Sequence, residues 1–130
     1  MVEYILTGIG LVIVTTVKEQ VNIMIQLRDY QQGCSDALLN NMLGGNDGGL
    51  GVMATGTGKA FTLCDVIRRA IQDVQPDTRI IQLVHTKELV QQNFTSMIKL
   101  WPSSPAGIYS AGLGRKDARS QIIFCGIQSL

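Results

Sequence analysis

The run Met53-Ala54-Thr55-Gly56-Thr57-Gly58-Lys59-Ala60 brings together residue types that handle phosphate. Glycines at 56 and 58 allow backbone angles closed to other residues. Successive N–H groups can then converge on phosphate oxygens, while the Lys59 ammonium adds a point charge. The chemistry implied is binding of a nucleoside triphosphate, ATP or GTP, with Thr55, Gly56, Thr57, Gly58, Lys59 and Ala60 as the contact residues. The run departs from the phosphate-loop pattern G-x-x-x-x-G-K-[ST] at both ends, with Met53 in place of the first glycine and Ala60 in place of the hydroxyl residue that holds Mg²⁺. The second departure matters more. Without that hydroxyl the metal loses a direct oxygen ligand and has to be held by water or other groups. Binding survives on this reading, and hydrolysis is the step placed in doubt.

Such a loop works only between a strand and a helix, and the flanking residues supply both. Leu50, Val52 and Met53 form a short apolar run before it. A stripe at Ala60, Cys64, Ile67 and Ile71 after it has helical spacing. That helix is expected to end near Asp73, ahead of the turn residues Gln75-Pro76-Asp77, and Arg79–Val84 reads as a largely buried strand. A strand, loop, helix, strand unit predicts an α/β layer fold with a mostly parallel sheet flanked by helices. Upstream, Tyr30, Cys34, Leu38 and Met42 predict another helix, and Gly44-Gly45-Asn46-Asp47-Gly48-Gly49 predicts a flexible loop. Downstream, Val90, Phe94, Met97 and Trp101 predict a helix with Thr86 at its cap, and Gly107–Ser110 and Gln121–Cys125 read as strands.

At 130 residues the chain holds one domain with a respectable core. Eleven Lys and Arg against ten Asp and Glu leave a formal charge of +1, so any nucleic-acid contact has to be local. Cys34, Cys64 and Cys125 are odd in number, far apart and at apolar positions, which reads as buried free thiols in a reducing cytoplasm. With one histidine and no C-x-x-C pair, no metal cage is expected. Residues 4–17 carry no charge, yet are too few to span a bilayer, which takes about 20 apolar residues, and no signal peptide is evident. Leu11–Val17 and Val21–Ile25 flank Lys18-Glu19-Gln20 and suggest a β-hairpin. The chain thus divides into an apolar extension, 1–25, and a nucleotide-binding domain, 26–130.

Three segments, Leu27-Arg28-Asp29-Tyr30-Gln31, the phosphate loop, and Val84-His85-Thr86-Lys87-Glu88-Leu89-Val90-Gln91-Gln92, occur in a meaningful order. The order resembles the first RecA-like lobe of superfamily 2 helicases, in the type III restriction enzyme and DEAD/DEAH-like branch, over about residues 26–130. The resemblance implies that Gln31 recognises adenine, that Thr55–Lys59 holds the phosphates of ATP with Mg²⁺, and that Thr86, Lys87 and Gln91 touch a nucleic-acid backbone. Each role has a physical basis. A glutamine amide can bond the adenine edge bidentately, and a helix start with a capping Thr86 and a neighbouring Lys87 suits a phosphate. His85 reads as a strand-end polar residue, and Arg115, Lys116 and Arg119 as a solvated basic loop.

No two acidic residues are adjacent anywhere in the sequence, so the Asp-Glu pair this family uses for Mg²⁺ and the attacking water is not among them. The expectation is the amino-terminal, ATP-binding part of a helicase or translocase. By itself it would bind nucleotide weakly and turn over negligibly. In the complete protein it would partner a second RecA-like lobe and nucleic acid, DNA ahead of RNA. Two other readings stay open: a small kinase-like phosphate-loop protein, which predicts an acidic residue ending a later strand, and a non-catalytic interaction module, which Ala60 favours.

Overall fold

The computed structural model describes the strand backbones of residues 2–7 and 10–14, together with residues 26–130. In chain order the elements are β1 (Val2–Thr7), β2 (Gly10–Val14), α1 (Asp29–Leu43), β3 (Gly48–Val52) and α2 (Lys59–Arg69). They continue as β4 (Arg79–Val84), α3 (Lys87–Leu100), β5 (Ala106–Ser110), β6 (Arg115–Lys116) and β7 (Ile122–Gly126). All the strands join one sheet in the order β3-β1-β2-β4-β7-β5-β6. Strands β2, β4, β7 and β5 form a parallel block. Antiparallel pairings bring in β1, β3 and β6 at the two sides. The predicted α/β class with a mostly parallel block is the fold adopted.

The helices pack side by side, α1 on α2 and α2 on α3, with α1 against β3 and α3 against β4, β7 and β5. Helix α2 is the middle one, and every residue from Lys59 to Ile67 is buried. Alternation along β4 turns Ile80, Gln82 and Val84 inward, where Ile80 and Val84 meet Leu63, Ile67, Ile108 and Phe124 in the core. Phe94 of α3 closes the layer edge-on to Phe124, with ring centroids 6.0 Å apart. Past Arg69 the helix continues through a π-turn, Ala70–Val74, in which the Gln75 N–H donates to the Ala70 carbonyl at 2.9 Å. The expected stop near Asp73 therefore falls within its last turn.

Three local expectations come out differently. An antiparallel pair does form near the amino terminus, but β2 pairs with β1; Lys18-Glu19-Gln20 and Val21–Ile25 lie outside the described residues. This pair enters the sheet between β3 and β4, with Val2–Leu6 alongside Gly48–Val52 and Gly10–Val14 alongside Arg79–Leu83. The glycine-rich loop is shorter than predicted, because Gly48 and Gly49 already belong to β3. Close approach of α1 explains Gly49, where a Cβ would lie 2.7 Å from Asn41 Nδ2.

The stripe on α1 is met in part, with Leu38 in the core and Cys34 and Met42 packed against it. Tyr30 is 45% exposed, whereas Gln31, Ser35, Leu38 and Leu39 are buried. Polar residues occupy this inner face because each finds a partner on the next element. No cysteine is in a disulfide; Cys64 and Cys125 are buried and Cys34 is half-buried. Among the described residues no helix is long and apolar enough to cross a membrane.

Candidate nucleotide and nucleic-acid site

Strand β3 ends at Val52, Met53 is buried, and residues 54–58 form the turn that leads into α2. Gly56 and Gly58 take φ of +77° and +85°, the left-handed region that side chains disfavour. The Thr57 hydroxyl donates to the Ala54 carbonyl at 2.5 Å and closes the turn. Gly58 caps α2, so the helix's unpaired N–H groups and its partial positive charge face the inside of the loop.

Two outside contacts set the orientation of the loop's peptides. Gln31 Nε2 donates to the Thr57 carbonyl at 2.8 Å and, more weakly, to the Gly58 carbonyl at 3.4 Å. The Gly58 carbonyl also accepts from the Thr62 N–H at 3.1 Å and the Thr62 hydroxyl at 3.2 Å. Because the peptides are trans, the carbonyl and the following N–H point in opposite directions. Drawing the carbonyls of Thr57 and Gly58 outward therefore turns the N–H groups of Gly58 and Lys59 the other way. Gln31 in turn is held by the Arg28 N–H, which donates to its Oε1 at 2.8 Å.

Lys59 is fully buried, and its Nζ has no hydrogen-bond partner among the described residues. A buried ammonium without an anion is costly, and the loop's inward N–H groups likewise seek an acceptor. An anion is the ligand chemistry that would answer both. Mg²⁺ does not fit in the same way. Ala60 is 2% exposed and offers a methyl group only. The nearest carboxylate along α2, Asp65, accepts from Ser35 Oγ at 2.6 Å and pairs with Arg68 at 2.6 Å and Arg69 at 3.6 Å. Among the described residues no group of three His, Cys, Asp or Glu side chains is placed to hold a metal.

The strands of the parallel block, and β3 with them, end on the same side of the sheet, so the phosphate loop, the β4–α3 turn, the β5–β6 turn and the residues after β7 share one edge. On that edge Thr86 caps α3, its hydroxyl accepting from the Leu89 N–H at 3.3 Å. Lys87 is exposed and lies across Gly112, where a Cβ would come 3.2 Å from its Cδ. Gln91 is exposed one turn further, and its Nε2 donates to Thr95 Oγ1 at 3.4 Å. The Ala111 N–H donates to Ser129 Oγ at 2.9 Å and ties the ends of β5 and β7 together. His85 is exposed at the end of β4.

The basic stretch after β5 divides. Arg115 pairs with Asp117 at 2.6 Å and stacks over Phe94 at 5.2 Å, so it is committed within the fold, whereas Lys116 and Arg119 are exposed. The Ile108 N–H, which donates to its carboxylate, and the Arg115 guanidinium hold Asp117 below the usual carboxylate range.

Sequence reasoning missed Thr62, Ser35 and Asp65. Thr62 stands one turn after Gly58, the spacing for a back-bond, and Asp65 is an acid in an apolar helix with Arg68 and Arg69 at the i+3 and i+4 positions. Both signals were readable. Ser35 had none, because its partner is 30 residues away. Residues 24–130 of the chain match the family model of the type III restriction enzyme, res subunit. No curated protein matches the chain, and no solved structure does.

Proposed function

Since the chain belongs to the family of the type III restriction enzyme res subunit, a helicase family that uses ATP, we propose that it is the ATP-binding lobe of a helicase or translocase. In the complete protein this lobe would work with a second one and couple ATP hydrolysis to movement on nucleic acid. The observation that carries the reading is the Lys59 ammonium, buried at the head of α2 with no counter-charge among the described residues. The triphosphate would lie against Thr55–Lys59, with Gly56 and Gly58 giving access to the backbone N–H groups. Gln31 would face the adenine. Both hydrogens of its Nε2 are directed at loop carbonyls and one Oε1 lone pair is taken, which leaves one acceptor for the exocyclic amino group rather than a bidentate pair.

Thr86, Lys87 and Gln91 would take the nucleic-acid backbone. An exposed lysine at a helix start binds phosphate regardless of base sequence, as a motor requires. The family's restriction enzyme puts DNA ahead of RNA as the track. Phosphoryl transfer to water also needs a group that orients the water and cations that neutralise the leaving phosphate. These residues serve binding, and turnover would depend on groups beyond them.

Titration calorimetry of ATP into the purified chain and into Lys59→Ala tests the reading. The expected result is measurable binding that the substitution weakens by more than about tenfold, or 1.4 kcal/mol. Equal affinity for the two proteins would remove the loop as the site and leave the interaction module, which Ala60 favours, as the better account.

A further inference from the structure

We propose that this site takes its polyphosphate as the metal-free anion, so that ATP binds the chain no more tightly with Mg²⁺ than without it. The inference rests on the reading of the loop as a nucleotide site and adds the charge state of the ligand. In phosphate loops generally the residue after the lysine carries the hydroxyl that ligates Mg²⁺. Here that residue is Ala60, whose methyl group offers the metal no ligand oxygen.

The neighbouring hydroxyls of the turn and of α2 are directed at backbone carbonyls, apart from that of Thr55. The Thr57 hydroxyl is turned back to the Ala54 carbonyl and the Thr62 hydroxyl to the Gly58 carbonyl, while Thr55 stands exposed on the turn. Asp65 is the acidic residue of α2, and it is 1% exposed and bonded to Arg68, Arg69 and Ser35. It also begins about 9 Å along the helix from Lys59, at 1.5 Å per residue.

What the site does supply is positive. Lys59 brings a full charge with no partner among the described residues, the N–H groups of Gly58 and Lys59 point away from the anchored carbonyls of Thr57 and Gly58, and the start of α2 adds its partial charge. Mg²⁺ bound to ATP cancels two of the negative charges on which such a site acts. Binding the complex would therefore forfeit attraction without gaining a protein ligand for the metal.

The test is calorimetric titration of the whole chain with ATP, once in excess EDTA and once in excess Mg²⁺, with inorganic tripolyphosphate as a second titrant. Affinity in EDTA should equal or exceed that in Mg²⁺ for both titrants, and Ala60→Ser should reverse the order for ATP. Tightening of wild-type binding by Mg²⁺ of about tenfold or more would overturn the proposal while leaving the nucleotide site intact. An Ala60→Ser protein that folds and still prefers the free anion would overturn the role given to Ala60. ATP binding in neither buffer would overturn the nucleotide reading itself, and this inference with it.

Discussion

At the scale of single residues, the position of Gln31 changes what a glutamine there does. A glutamine in an exposed first turn is free to read a base. This one is 6% exposed and bonds the phosphate loop across 26 residues of sequence. In the proposed site it would have a positioning role beside its contact with adenine, because it holds carbonyls outward and so aims the following N–H groups. Gln31→Ala is expected to weaken ATP binding about 5- to 30-fold, equivalent to 1–2 kcal/mol. Inorganic tripolyphosphate should also lose affinity in the same titration, by a smaller factor because it has no adenine to lose. A residue that read adenine alone would leave tripolyphosphate unaffected, and that result would reassign it.

At the scale of elements, the site is built from two helices and one strand whose contact is partly polar. Asp65 on α2 meets Ser35 on α1, and Arg69 reaches from α2 to both Ser35 at 3.2 Å and Asp36 at 2.6 Å. The Asp36 carboxyl lies below its usual range because the Arg69 and Gln32 side chains donate to it. This network keeps α1, and with it Gln31, at a set height over the loop. Asp65→Ala takes the acceptor from buried Ser35 and one acceptor from each guanidinium, while Arg69 keeps Asp36 and Arg68 keeps Gln72. It should lower stability by about 1–3 kcal/mol, read from denaturant melts, and should weaken nucleotide binding secondarily. Unchanged stability would show that apolar packing alone positions α1. Sequence patterning identified α1 as a helix and placed Cys34, Leu38 and Met42 on or against the core, but it missed the buried polar residues Gln31 and Ser35 and took Tyr30 inward. Periodicity counts apolar residues, and the buried face of this helix is half polar.

At the scale of the whole molecule, the arrangement of the sheet is the largest departure from what the chain's pattern suggested. Strand β3, which leads into the phosphate loop, pairs with β1 alone, and β4 reaches it only through β1 and β2. Residues that composition marks as an apolar extension therefore join two halves of the site, although the family match begins only at residue 24. Deleting residues 1–25 strips β3 of its ladder and exposes one edge of β4. Loss of the cooperative thermal transition, followed by circular dichroism, is the expected outcome. A deletion protein that melts as sharply as the full chain would place the hairpin outside the cooperative unit.

The amino-acid sequence by itself determined the local pieces: the strand before the loop, the glycines at 56 and 58, the lysine at the head of α2, the cap at Thr86 and the α/β class. Each depends on backbone chemistry within a few residues, so it is written in the order of the chain. Tertiary structure alone decided that Lys59 is buried with no partner among the described residues, that Gln31 bonds the turn before α2 and Asp65 bonds Ser35 on α1, and that β1 and β2 lie between β3 and β4. Side-chain period tells which face of a helix or strand can be buried. The identity of the neighbour it is buried against comes from contacts between distant residues, which no local spacing encodes.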